Sequence, residues 1–442
     1  MTDRARWESL ARPTPEWFRQ APFGIFIHWG AYSVPAWGEP TGELGTVAER
    51  EWFTHNPYAE WYYNSIRIDG SPAQQHHRET YGYVPYDDLL DMWKAENFDA
   101  GALMDVVAGC GADYVVPTTK HHDGIGLWDA PGTGTRNTVH RGPKRDLIGE
   151  ISAAAKERGV HLGLYYSGGL DWHVRPMPPH VTFGSVEKSG RPNDAEYARY
   201  AYEHVRDLVD RYEPDVLWND IEWPDEGKHF GEHGLGTLFE YFYARNPQGV
   251  VNDRWGDTHH DYATSEYQYM LDSESEEEWE NCRGIGLSFG YNQVEGPEHC
   301  LDGPGIARHL TDVVSRGGHF LLNIGPKADG TVPENQLEAL TVLGRWMQVA
   351  KPLLVGAQRT STKAEAAGDG WARAVGTDAG EVCFVDLPGG GTEPVVVTGW
   401  ARPGQTVTSD EPSWGTVAVR DDGALVVEPA AGRPGPVVVQ QA

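Results

Sequence analysis

Ionisable residues gather in this chain where apolar runs stop. The stretch DVLWNDIEWP, residues 215 to 224, carries Val216, Leu217 and Trp218 into Asn219, then sets Asp220 and Glu222 two apart beside Trp223 and Pro224. Other apolar runs end the same way. FGIFIHWG closes on His28 and Trp29, and YVVPTTK leads into Lys120, His121, His122 and Asp123. HLGLYYS reaches Tyr165, VVNDR ends on Asn252, Asp253 and Arg254, TSEYQ carries Glu266, and IGLSFGYN ends on Tyr291 and Asn292. Carboxylates at such ends serve acid, base or nucleophile chemistry, and imidazoles or a lysine bind hydroxyls or, in the right geometry, a metal.

Each residue also has a plainer reading. His28 after an apolar run can be a satisfied core histidine. His121 and His122 are metal candidates, but neighbours on a strand point to opposite faces, so the pair alone does not chelate one ion. Glu222 falls past the expected strand end and reads as peripheral or solvent-facing. Asp220 is different, because an unpaired carboxylate at the end of a buried strand is costly unless it is used or paired. Arg254, from the next strand end, is the candidate partner.

Eight short β-rich runs position these residues: 23–30, 114–120, 161–167, 215–220, 250–254, 264–268, 285–292 and 319–325. Between them lie DAGALMDVVAGCG, RDLIGEISAAAKERG, DAEYARYAYEHVRDLVDRY, TLFEYFYARN and GIARHLTDVVSRGG, several with apolar residues at i, i+3, i+4 and Gly or Asn stops. Strand and helix alternate, which predicts an α/β protein built on a (β/α)8-like TIM barrel, where strand ends converge on one mouth. The connections from the fifth to the seventh strand lack convincing helices, so the barrel is expected to be irregular there. An insertion at about 38–84, rich in Trp, Tyr and His, follows the first strand on the mouth side. After KPLLVGAQRT the helical period vanishes and runs such as EVCFVDL, EPVVVTGW, GTVAVR and GPVVVQ alternate with turns. Residues 1–353 therefore read as the catalytic barrel and 354–442 as a β-sandwich without an evident acid or histidine cluster.

Composition bounds the partners. The 36 basic against 65 acidic residues give a net charge of −29, which repels nucleic acid and anionic membranes. No apolar run is long enough to span a bilayer and the first twenty residues have no apolar leader. Four scattered cysteines, Cys110, Cys282, Cys300 and Cys383, indicate neither a disulfide framework nor a zinc knuckle, so a reducing cytoplasm is the expected location. No cofactor or metal is expected, and a homo-oligomer is compatible with the sequence. The 17 Trp, 20 Tyr and 18 His suit sugar rings, as they also suit a large core.

Several stretches, in order over about residues 14 to 350, carry a resemblance: PEWFRQAPFGIFIHWGAYSVPAWG, EWFTHNPYAEWYYNS, PTTKHHDGIGLW, GPKRDLIGEI, YYSGGLDW, PDVLWND, VNDRWG, GIGLSFGYNQ and LLNIGPKADGTVPE. Together they resemble the α-L-fucosidases of glycoside hydrolase family 29, most nearly the bacterial thermophilic members. The resemblance implies a retaining exo-α-L-fucosidase acting on α-L-fucosylated glycans or small fucosides, with Asp220 as nucleophile and Glu266 as acid/base. It implies His28, Glu60, His121, His122, Tyr165 and Arg254 as sugar ligands, with Phe26, Tyr267 and Phe289 around the deoxysugar methyl. Where close relatives carry Met-Gly after the nucleophile this chain has Ile221 and Glu222, which adds a negative charge near the mouth. Two other functions remain open at this level: a non-catalytic sugar-binding barrel, and a hydrolase of another L-sugar such as an α-L-galactoside.

Overall fold

The computed structural model describes residues 3–186, 190–267 and 277–441. Eight parallel strands form one sheet: β1 Phe23–Ile27, β2 Tyr114–Lys120, β3 His161–Ser167, β4 Val216–Asp220, β5 Val250–Val251, β6 Ala263–Glu266, β7 Trp279–Gly284 and β8 Gly318–Ile324. Their order is β5-β4-β3-β2-β1-β8-β7-β6, so the sheet curls until β5 and β6 stand at its two ends. Asp261 stitches that seam. Its backbone N–H donates to the Val251 carbonyl at 2.9 Å, and its carboxylate accepts from the Val251 N–H at 2.8 Å. Residues 252–262 carry no helix, as the sequence led us to expect for this part of the barrel.

Helices Ala100–Gly109, Leu147–Glu157, Ala195–Tyr212, Leu235–Arg245 and Gly303–Ser315 lie in the other connections. Four of them start on an aspartate whose carboxylate accepts a backbone N–H three residues on: Asp99, Asp146, Asp194 and Asp302. That satisfies one of the donors a helix N-terminus leaves free.

Strand parity decides what faces the barrel interior. Phe26 of β1, Tyr114 and Val116 of β2, Tyr165 of β3, Val216 and Trp218 of β4, Val250 of β5 and Leu321 of β8 share one inner cluster. The intervening Ile25, Ile27, Val115, Leu164, Leu217, Val251 and Leu322 belong to the outer core beneath the helices. Gly24 leaves room for an aromatic ring, since a Cβ there would stand 2.4 Å from Tyr114. The Tyr114 hydroxyl in turn donates to the fully buried Glu280 of β7 at 2.6 Å.

Two expectations need correction. The seventh strand is WENCRG at 279–284 and not IGLSFGYN at 285–292, which forms the loop after it. Glu280, Asn281 and Arg283 hid the strand because their polarity is satisfied inside the fold: Glu280 accepts from Tyr114 and Trp218, and Asn281 bonds Ser265. Lys120 does not reach the mouth. The register of β2 against β3 shifts between Thr118 and Lys120, and the buried Lys120 ammonium donates to Asp171 at 3.2 Å and to the Leu170 carbonyl at 3.3 Å. Of the sixth predicted strand, Gln268 lies outside the described residues.

Beyond helix Glu334–Leu354, two four-stranded antiparallel sheets stack as a β-sandwich filled by Val375, Val385, Val397, Val427 and Val439. Asp386 in that unit pairs with both Arg308 of the barrel and Arg433. Trp346 donates its indole N–H to the Pro436 carbonyl at 3.0 Å, tying the last barrel helix to the residue that leads into the final strand, Val437–Gln441.

Lys120→Met removes one member of a buried ion pair and leaves the Asp171 charge without it. We expect a loss of about 3–5 kcal/mol, read as a lower denaturant midpoint at unchanged slope, with Lys120→Met/Asp171→Asn recovering much of it.

Candidate active site

The mouth of the barrel is a cavity lined by residues from most of the strand ends, from the 38–84 insertion and from the segment after β3. Asp220, at the end of β4, is 8% exposed and held on both oxygens. Oδ1 accepts from Arg254 Nη1 at 2.9 Å and from the Ile221 N–H at 3.0 Å, and Oδ2 accepts from the Tyr165 hydroxyl at 2.9 Å. Arg254 continues to a second carboxyl, with Nη2 at 3.3 Å from Glu266 Oε2. The Tyr58 hydroxyl donates to the other Glu266 oxygen at 3.0 Å. Arg254 thus stands between the two carboxyl groups, its guanidinium 4.7 Å from the centre of the Trp218 ring. Trp218 is fixed from below by its indole N–H, which donates to Glu280 at 2.8 Å.

The two carboxyls are driven apart in acidity. Burial pushes Asp220 up, but Arg254, His122 and the Tyr165 hydrogen bond outweigh it and hold the group below the ordinary aspartate value. Burial also pushes Glu266 up, and there the nearby Asp220 charge helps burial to prevail over Arg254, so it stays above the ordinary glutamate value.

Three imidazoles share the wall and are neutral. Burial lowers His28 to about 4 and His122 to about 3, and lowers His121 well below the usual histidine range. His28 Nδ1 lies 2.7 Å from Asn323 Oδ1, so it carries the proton and Nε2 is an acceptor. His122 Nδ1 lies 2.6 Å from Ser167 Oγ, whose own proton goes to the Leu170 carbonyl, which makes His122 Nε2 an acceptor too. His121 Nδ1 is buried and has no hydrogen-bond partner among the described residues. Contrary to the strand-parity expectation, His121 and His122 lie on one wall, ring centres 3.9 Å apart, because β2 ends at Lys120 before either of them.

The insertion closes the cavity with Tyr58, Glu60 and Trp61. Glu60 accepts from the Gly290 N–H at 2.7 Å and the Ser288 hydroxyl at 3.1 Å, which docks the insertion onto the loop after β7. Burial raises its carboxyl to about 7. Phe26 and Phe289 face the same space, ring centres 6.3 Å apart.

The turn after Asp220 is conformationally expensive. Ile221 (φ 54°) and Glu222 (φ 69°) are both left-handed, which β-branched residues rarely adopt. Arg191 donates to the Ile221 carbonyl at 3.3 Å and to Glu222 at 2.9 Å, and Asn219 donates to the Glu222 carbonyl at 2.8 Å. Glu222 also pairs with Lys228 at 2.8 Å, and both cations reach Asp225. The extra negative charge is therefore matched by two cations in a polar cleft beside the cavity, and Glu222 does not join the cavity wall.

The first 351 residues supply the decisive comparison. The family model for α-L-fucosidase matches residues 2–351. The chain belongs to that family. Among curated relatives, the α-L-fucosidase of Dictyostelium discoideum is 31% identical over 79% of this chain and 73% of its own. The human tissue α-L-fucosidase is 32% identical over 78% and 70%. Among solved structures, the Thermotoga maritima α-fucosidase superposes with a TM-score of 0.84 at 40% identity, covering 99% of both chains. A complex of that fucosidase with fucose gives 0.85 at 40% identity, with the same coverage.

Within this family member, the cavity brings together Asp220, Glu266, Arg254, His28, Glu60, His121, His122, Tyr165, Phe26 and Phe289. Tyr267 is buried but stands behind the wall, its hydroxyl donating to the Leu287 carbonyl at 2.5 Å and its ring 5.5 Å from Phe289. The Asn252 side chain bonds both the N–H and the carbonyl of Asn219, the Asn219 amide donates to the Glu222 and Arg254 carbonyls, Asp123 accepts from Tyr86, Asp253 accepts from Thr264, and Asn292 bonds Gly38; none of these joins the wall. Tyr291 is not on the wall either. Trp223 packs on Tyr166 and Trp255 in the outer core, so of the two tryptophans flanking Asp220 only Trp218 shapes the cavity. Sequence reasoning did not single out Tyr58, Trp52, Trp61 or Cys282 on the wall, nor Glu280 beneath it; the aromatic density of the insertion was the available signal for the first three. Among the described residues no three His, Cys, Asp or Glu side chains form a metal-binding group.

Gly169 lies directly against the turn, and a Cβ there would stand 1.6 Å from the Ile221 carbonyl oxygen. Gly169→Ala must push that backbone away. The expected cost is about 1–3 kcal/mol in a thermal or denaturant unfolding series, with Asp220 displaced in the variant's crystal structure.

Proposed function

We propose that this chain is a retaining exo-α-L-fucosidase, with Asp220 as nucleophile and Glu266 as acid/base. The observation that supports it most is Arg254 joined to both carboxyls, Asp220 held below the ordinary aspartate value and Glu266 above the ordinary glutamate value, in a cavity that aromatic rings and imidazoles share. Glycosidic cleavage passes through an oxocarbenium-like state that needs a carboxylate at the anomeric carbon and a carboxylic acid at the leaving oxygen. Asp220 attacks the anomeric carbon as Glu266 gives its proton to the leaving oxygen, and a β-linked fucosyl ester forms on Asp220. Glu266, now ionised, takes a proton from water as that water attacks the same carbon, the ester bond breaks, and Asp220 leaves as a carboxylate. Two inversions return the α anomer.

The other residues orient the sugar. Nε2 of His28 and Nε2 of His122 accept hydroxyl protons, and the buried His121 Nδ1, without a partner among the described residues, offers another contact. Phe26 and Phe289 provide an apolar wall suited to the fucose methyl, where the 6-hydroxyl of an L-galactoside would lose its hydrogen bonds. The Thermotoga fucosidase, 40% identical, has been crystallised with fucose, which supports the same sugar here.

Proton NMR of the first turnover tests this reading. α-L-Fucose must appear from an α-L-fucoside before mutarotation, and β-L-fucose appearing first would overturn the assignment of Asp220. Glu266→Ala should slow fucosides with poor leaving groups by about 10²–10⁴-fold while sparing those whose leaving group departs unaided. Equal slowing of both classes would remove Glu266 from the acid role.

A further inference from the structure

The cavity does not end at the groups that would hold one sugar. Beyond Tyr58 its wall continues as Leu44, Trp52, Phe53, Phe183 and Val186, with no ionisable group among them. Two separate segments build it. Leu44, Trp52 and Phe53 come from the insertion after β1, while Phe183 and Val186 follow β3. The Phe183 N–H donates to Glu49 at 2.6 Å, and the Asn64 amide bonds both the N–H and the carbonyl of His180, so the two segments are clamped together. Trp52 and Phe183 stack, with ring centres 6.0 Å apart and planes 29° apart. Phe183 is nevertheless 38% exposed, among the most exposed large apolar side chains of the described residues.

Position relative to the acid gives this platform its meaning. An acid that protonates the leaving oxygen must have the leaving group beside it. Tyr58 donates to Glu266 at 3.0 Å, and its ring centre lies 5.0 Å from that of Trp52. The apolar platform is thus reached from the Glu266 side. The alternative exit, the polar cleft that also touches Asp220, Ile221 and Arg254, is lined by Arg191, Glu222, Asp225 and Lys228, which are bonded to one another.

We propose that Leu44, Trp52, Phe53, Phe183 and Val186 form a leaving-group subsite that takes the apolar face of a ring attached to the fucosyl residue. An aryl group and the less hydroxylated face of a pyranose share that chemistry. The inference rests on the fucosidase reading and adds the class of leaving group. The charged cleft plays no part in holding it.

The test compares wild type, Phe183→Ala, Phe183→Trp and Asp225→Asn on three substrates: α-L-fucosyl fluoride, an aryl α-L-fucoside and an α-L-fucosyl-hexose disaccharide. Fluoride carries no ring to bind. For Phe183→Ala we expect kcat/KM to fall about tenfold on the two ring-bearing substrates, mainly through KM, and to change less than about twofold on the fluoride; Phe183→Trp should retain wild-type values. A fall on the aryl fucoside alone supports the subsite and assigns it to aromatic leaving groups. Equal loss on all three substrates, or no loss on any, overturns the proposal, as does a ring-specific loss in Asp225→Asn without one in Phe183→Ala. Wild-type enzyme that fails to hydrolyse the fluoride overturns the fucosidase reading itself, and the subsite with it.

Discussion

One guanidinium facing two carboxyls sets the terms for this site. Arg254 is within hydrogen-bonding reach of Asp220 and of Glu266, and three largely enclosed groups with one positive charge are most stable when the carboxyls carry one negative charge between them. In the proposed resting state that charge sits on Asp220, the carboxyl held below its ordinary value. In the proposed ester intermediate Asp220 is neutral and the charge sits on Glu266, where Arg254 and the Tyr58 hydroxyl receive it. The net charge of the trio is unchanged across the proposed cycle, so the cavity does not have to accommodate an uncompensated ion at either stage.

Much of the surrounding structure keeps that guanidinium in place. Its face lies over Trp218, Trp218 is anchored on Glu280, and Glu280 is anchored on Tyr114, a chain of buried contacts reaching down the barrel interior. Burial raises the Glu280 carboxyl, and its two donors lower it. From above, Glu60 fastens the insertion to the loop after β7 and so holds Tyr58 against Glu266. The left-handed turn at Ile221 and Glu222 fixes how Asp220 leaves β4, at a conformational cost met by Arg191 and Asn219. Strain next to Asp220 is held by polar contacts that lie in the neighbouring charged cleft.

The sequence made the barrel legible wherever strands were apolar. FGIFI, YVVPTTK, HLGLYYS and VLWND are buried at nearly every position, and apolar spacing with Gly or Asn stops marked several helices. It failed at WENCRG, because a strand whose polar side chains find partners inside the barrel has no apolar signature. The sandwich was half visible for a similar reason: WARAVGT (371–377) and LVVEP (425–429) alternate too weakly with polar residues to stand out, though both form strands. Asp220 and Arg254 could be paired from chain logic alone, since both close consecutive strands. Glu266 could not, because TSEYQ has no local feature that separates a reacting carboxyl from a solvated one; it came through the family resemblance. Tyr58 was lost among the many aromatics of the insertion, whose individual contacts depend on how that insertion folds over the mouth.

The central claim is that the site holds Asp220 ionised and Glu266 protonated at the same pH. Carbon-13 NMR of the labelled side-chain carboxyls, assigned by the signals missing from Asp220→Asn and Glu266→Gln, follows each group through a pH titration. The account predicts that Asp220 loses its proton below the ordinary aspartate value of 3.8, and Glu266 above the ordinary glutamate value of 4.5. Glu266 ionising before Asp220 would contradict it.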